Sequence, residues 1–121
     1  LQMTISAQAS HAQRAALLDA WYRQQLKALL PPLLIHWQTA MSVQANGWGI
    51  KKMRTRWGSC NTLQKRIWLN LELAKKPPQC LEYVLVHELV HLLERTHNAR
   101  FYAFMDHFLP DWRQHRLLLN E

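Results

Sequence analysis

Cysteine is scarce in this chain. Its two residues, Cys60 and Cys80, form neither a CxxC pair nor a framework of spacings. A disulfide-stapled scaffold is therefore excluded, and two reduced thiols in a cytoplasmic protein are expected. Long apolar runs are missing too. Leu29–Ile35 is broken by Pro31 and Pro32, and Tyr83–Leu93 by His87, Glu88 and His91, so neither segment is expected to enter a membrane. No basic stretch leads into an apolar one at the N-terminus, so no signal peptide is read there. Internal repeats and low-complexity segments are also missing. Charged residues are only 19% against 49% apolar, which excludes a disordered chain. Acidic residues are outnumbered by basic ones, eight to fifteen, and the formal net charge is +7. A basic balance favours anionic partners such as nucleic acid. The densest cluster, Lys51, Lys52, Arg54 and Arg56, reads equally as a solvated face, because strand spacing would put only some of these on one side.

What is present fits one domain with one core: 121 residues, six of them tryptophan. The chain does not begin with methionine, and it is expected to be the C-terminal part of a longer protein. Helical periodicity runs from Ser10, a candidate N-cap, through Ala16, Leu17, Ala20, Trp21 and Leu26 to Leu30. Pro31 and Pro32 are expected to stop that helix and start a second one to about Met41. Asn46-Gly47 marks a turn, Trp48–Met53 and Ile67–Leu71 read as strands, and Gly58 allows a bulge or a close backbone approach. Pro77-Pro78 opens a helix to about Arg95, Asn98 caps another over Ala99–Phe108, and Pro110-Asp111 opens a short last one. The expected order is helices over about 10–42, a small sheet over about 48–71, a metal-carrying helix over about 78–95 and C-terminal helices over about 98–118. This is an α+β domain.

The chemistry sits in His87-Glu88-Leu89-Val90-His91. Residues four apart share a helix face, so His87 and His91 can grip one ion. Glu88 lies about 100° further round. There it addresses an attacking water rather than the metal, and it is the candidate general base. A catalytic zinc takes a third protein ligand, and His97, six residues after His91, is that candidate. For its ring to return, the helix must end near Glu94–Thr96 and the chain fold back. The metzincin signature has the same interval with glycine at the turn. Glu94 stands there in this chain, and no Met-turn follows, which separates it from that group. Cys60 and Asp106 are candidate fourth ligands of a structural site.

Around the motif, Tyr83, Arg100, Tyr102 and His107 are candidate oxyanion donors. Ile67–Leu71 is a candidate edge strand for an extended substrate. Trp57-Gly58-Ser59-Cys60 reads as a structural turn, Leu85, Leu89, Leu92, Phe101, Phe104 and Phe108 as core, and His11, His36 and His115 as histidines without ligand partners.

The strings Arg56-Trp57-Gly58-Ser59-Cys60, Ile67-Trp68-Leu69-Asn70, Tyr83 to Leu92, His97-Asn98-Ala99-Arg100-Phe101-Tyr102 and Leu109-Pro110-Asp111-Trp112 together resemble the YgjP-like metallopeptidases, relatives of the SprT-like zinc proteases. The resemblance covers roughly residues 48–112. It implies a zincin-like fold with the HExxH motif on a central helix flanking a small, mainly antiparallel sheet. It also implies one zinc per chain held by His87, His91 and His97, Glu88 as base, and a peptide or protein substrate. Mn, Co or Ni are alternative occupants of a three-imidazole site. Family members carry a further N-terminal β-rich portion, in line with a C-terminal fragment. The SprT-like relatives act on DNA-bound proteins, which bears on the basic charge. The competing reading is a basic nucleic-acid- or partner-binding domain with a structural zinc and no catalysis.

Overall fold

A computed structural model describes residues 10–121. The elements, in order, are α1 (His11–Met41), β1 (Gly47–Lys51), β2 (Gly58–Asn61), β3 (Arg66–Asn70), a 3-10 helix (Leu71–Lys75), α2 (Pro78–Val90), α3 (Ala99–Phe108) and α4 (Trp112–Leu119). The fold is α+β, four helices around a small three-stranded mixed sheet. None of these helices is long and apolar enough to cross a membrane.

Ser10 caps α1 as expected. Its hydroxyl accepts from the Gln13 backbone and the Gln13 side chain answers. Pro31 and Pro32, however, do not break the helix, which runs unbroken from His11 to Met41. A proline inside a helix costs about 3 kcal/mol. On both sides of the pair, Leu26, Leu30, Leu34, Trp37 and Met41 are buried on one face. Burying each such side chain is worth about 1.5–3 kcal/mol, so packing outweighs the missing hydrogen bonds. Trp37 adds a bond from Nε1 to Glu82 on α2, 3.0 Å. The front of α1 does not follow its sequence pattern. Ala16, Leu17 and Ala20 are exposed, and the buried face begins at Leu26.

The sheet has the order β1-β3-β2. β2 and β3 form an antiparallel hairpin, while β1 and β3, the two strands expected from the sequence, run parallel, so the sheet is mixed. The expected edge, Ile67–Leu71, is therefore corrected. As β3 it is the central strand, paired on both sides, because Ile67 and Leu69 are its fully buried inward residues. The stretch read as a turn, Trp57 to Cys60, is corrected as well. Gly58–Asn61 is strand β2 and forms one of the two edges, β1 the other. Gly-Ser-Cys-Asn has no β-branched residue to announce a strand. Pairing with β3 creates it. The segment that crosses from β1 to β2 is clasped by the buried Asn70, whose amide donates to the carbonyls of Met53 (2.9 Å) and Arg56 (2.8 Å). The Asn70 carbonyl oxygen also caps the 3-10 helix by accepting from the Glu72 backbone, 3.0 Å.

α2 runs through the centre. Leu81, Val84, Leu85, Val86, Leu89 and Val90 are all buried, and the helix touches α1, α3, α4, β2 and β3. A helix apolar nearly all round is an interior helix. Of the expected core, Leu85, Leu89 and Phe101 are buried, and Leu92, Phe104 and Phe108 pack partly buried against them.

Candidate metal centre

On α2, His87 and His91 lie one turn apart, and their ring centroids are 5.1 Å apart. The helix stops at Val90, short of the expected Arg95. The turn needs no left-handed residue, since among the described non-glycine residues only Ser42 and Lys65 have positive φ. Successive i→i−3 bonds tighten the helix end instead: His91 to Glu88, Leu92 to Leu89 and Leu93 to Val90. Glu94 then organises the loop. Its carboxylate accepts from the Thr96 hydroxyl (3.2 Å) and the Asn98 amide (3.0 Å), and Arg100 lies 3.6 Å away. Burial opposes ionisation of Glu94, but these hydrogen bonds and Arg100 outweigh it and hold the carboxyl below its usual range. Asn98 caps α3 through the Phe101 backbone, 3.0 Å.

This loop brings His97 back. Its ring centroid lies 5.0 Å from that of His87 and 4.8 Å from that of His91. One nitrogen from each ring can be chosen so that all three lie within 4.8 Å of one another. Phe101, wholly buried, underlies all three rings at centroid distances of 4.9, 4.8 and 4.8 Å. A core role for Phe101 was legible in the sequence; its role as the platform of the triad was not.

The proton positions follow from the partners. His91 Nδ1 faces the Glu94 carbonyl at 3.2 Å, and a carbonyl only accepts, so Nδ1 carries the proton and Nε2 a lone pair. His87 Nδ1 likewise faces the Glu88 carboxylate at 3.2 Å. The Nε2 atoms of His91 and His97 are 3.1 Å apart. Nitrogens bound tetrahedrally to zinc at about 2.0–2.1 Å lie roughly 3.3 Å from each other, so the His91–His97 pair has the spacing of two ligands of one such ion, with a His87 nitrogen within 4.8 Å of both. Burial, then the neighbouring His87 and His91, push the His97 pKa down, against a weaker opposing pull from Glu88, which favours the neutral ring that a metal requires. Neither Cys60 nor Asp106 joins the cluster among the described residues. Asp106 instead accepts from Trp112 and Arg113, both 2.8 Å.

Glu88 is buried, its side chain 7% exposed. Gly58 covers it. A Cβ on Gly58 would meet Val84 Cγ1 at 2.8 Å and Glu88 Oε2 at 3.1 Å, which is the close backbone approach that glycine permits. Burial and the Glu88 charge push the Cys60 thiol up to about 11, so it stays protonated.

The triad and Glu88 line a cleft of about 520 Å³, walled by β2 on one side and by Tyr83, Arg116, Leu119 and Asn120 on another. Of the candidate oxyanion donors, only Tyr83 lines it. Arg100 is engaged with Glu94, Tyr102 stacks on Trp112, and the His107 ring packs on Phe108. His11, His36 and His115 lie outside the cleft. Arg116 and Asn120 had no signal beyond the amphipathic spacing of the last helix.

The family described as YgjP-like, metallopeptidase domain, matches residues 1–121. Two solved structures share the fold. One is the metallopeptidase zymogen jannalysin of Methanocaldococcus jannaschii, with 17% identity over 71% of this chain and 88% of that one, TM-score 0.61. The other is the metallopeptidase zymogen abylysin of Pyrococcus abyssi, with 20% identity over 74% and 91%, TM-score 0.64. Among curated proteins none matches.

Proposed function

This chain belongs to the YgjP-like metallopeptidase family, and from that premise we propose that it is a zinc-dependent peptidase in which His87, His91 and His97 hold the metal and Glu88 is the general base. The observation that carries this reading is the convergence of three imidazoles beside a buried carboxylate in one cleft. Zinc bound there would supply Lewis-acid polarisation of the scissile carbonyl and acidify a water. The rest of the chemistry belongs to the chain. Glu88 takes a proton from the attacking water as the new C–O bond forms. When the C–N bond breaks, Glu88 returns that proton to the amine nitrogen. Its burial under Gly58 keeps bulk water from competing for the carboxylate. Tyr83, one helical turn before His87, is our oxyanion donor. Burial raises its pKa, the nearby Arg116 opposes that, and Glu88 and Tyr102 add to it, so the hydroxyl stays protonated. Separate thiols at Cys60 and Cys80 suit a reducing compartment, and we propose a cytoplasmic location.

Glu88→Gln tests the reading. It should retain zinc and lose about 10²- to 10⁴-fold in kcat on a peptide substrate. A variant that hydrolyses as fast as the wild type would show that another group is the base.

A further inference from the structure

The cleft is lined by three arginines, Arg56, Arg95 and Arg116, and by one acidic residue, Glu88. Arg100 and Arg113 have carboxylate partners, with Glu94 and Asp106. Among the described residues the three cleft arginines have none within ion-pair distance. Two of them belong to one end. Trp57 Nε1 donates to Asn120 Oδ1 at 3.4 Å, and the Asn120 amide donates to the Arg116 carbonyl at 3.0 Å. The segment that starts β2 and the last turn of α4 are thereby tied together, and Arg56 and Arg116 come to the same end of the cleft. The Arg56 backbone is fixed by Asn70, and the Arg116 guanidinium lies over the Trp112 ring at 5.0 Å, close enough for its charge to act on Tyr83. The Arg56 backbone and the Arg116 guanidinium are thus anchored, and among the described residues neither charge has an acidic partner.

We infer that Arg56 and Arg116 form a subsite for a substrate carboxylate, so that this peptidase prefers acidic peptides. The inference rests on the peptidase reading of the triad and names the substrate class for that site. Guanidinium forks match carboxylates in planar, bidentate geometry. Both side chains are exposed at the mouth of the cleft, beside the free edge of β2, where an extended peptide pairing with that strand would present a side chain or its C-terminus to them. The carboxylate is either a glutamate or aspartate side chain or the C-terminus of the peptide.

The test uses alanine-based peptides that carry glutamate or glutamine at one position, each with a free or an amidated C-terminus. Cleavage is measured with the zinc-loaded wild type. Binding is measured with zinc-loaded Glu88→Gln, which decides the subsite independently of turnover. About a tenfold preference for the carboxylate-bearing peptide is expected, falling towards one in Arg56→Gln/Arg116→Gln, with part of it restored in the corresponding double lysine variant. Zinc content and circular dichroism check that the variants are folded. Loss of the preference on replacing glutamate by glutamine identifies the side chain as the ligand, and loss on amidation identifies the C-terminus; either supports the subsite. Equal affinity for acid and amide forms, or a preference that survives the double glutamine variant, would overturn it. So would a single-stranded oligonucleotide that binds through Arg116 while the peptides are not discriminated. Failure of the wild type to cleave any peptide would count against the peptidase reading, and the binding measurements would still decide the subsite.

Discussion

The floor and the wall of the cleft are built in opposite ways. The floor comes from one continuous stretch, from α2 through the Glu94-organised loop to Phe101, and its three histidines fall within eleven consecutive residues. The wall is assembled from distant segments. β2 meets α4 through Trp57 and Asn120, sixty-three positions apart, and Gly58 lies against Glu88 and Val84. Local rules, helical spacing and capping, fix the floor. The wall exists only because strand pairing and core packing bring its parts together. A perturbation of the wall should therefore reach Glu88 while leaving the histidine triad in place.

Asn70→Ala should have the largest effect on stability. It strips partners from the Met53 and Arg56 carbonyls and from the Glu72 backbone, at a cost of about 3 kcal/mol. Chemical denaturation would measure it. A change under about 0.5 kcal/mol would mean that the crossing segment is held by something else. Gly58→Ala comes next. Its new Cβ meets Val84 Cγ1 at 2.8 Å, and relief costs about 2 kcal/mol and displaces Glu88. Zinc affinity should change little while kcat falls, a split that would vanish if floor and wall were one unit. The smallest effect is on pH dependence. The folded His97 has a pKa below the ordinary 6.5, so below that pH the unfolded chain binds a proton that the folded one resists. The metal-free protein should keep this contribution above pH 6.5 and lose it as pH falls towards the depressed value. His97→Gln should flatten that part of a plot of thermal midpoint against pH. An unchanged slope would contradict the depressed pKa.

How much the sequence disclosed follows the same division. The His87/His91 pair, the Asn98 cap and the return of His97 were legible because each depends on neighbours within a few positions. The α+β class is legible from periodicity, and the close backbone approach at Gly58 from the glycine itself. The unbroken α1 was not legible. The local rule for Pro31-Pro32 is sound, but five buried side chains on α1 overrule it. β2 was missed because a Gly-Ser-Cys-Asn strand carries no propensity of its own and needs β3 to exist. The same cause misplaced the edge: with β2 unseen, Ile67–Leu71 became the outermost strand by default. Helix α2 ended early because the i→i−3 bonds at Val90–Leu93 complete the turn that a glycine would otherwise supply.

Metal stoichiometry tests the central claim most directly. Mass-spectrometric metal analysis of purified wild type and His97→Ala should give about one zinc per wild-type chain and a severalfold lower content in the variant after dialysis against a weak chelator. Equal zinc in the two proteins would show that residue 97 is not a ligand, and the three-imidazole centre would have to be abandoned.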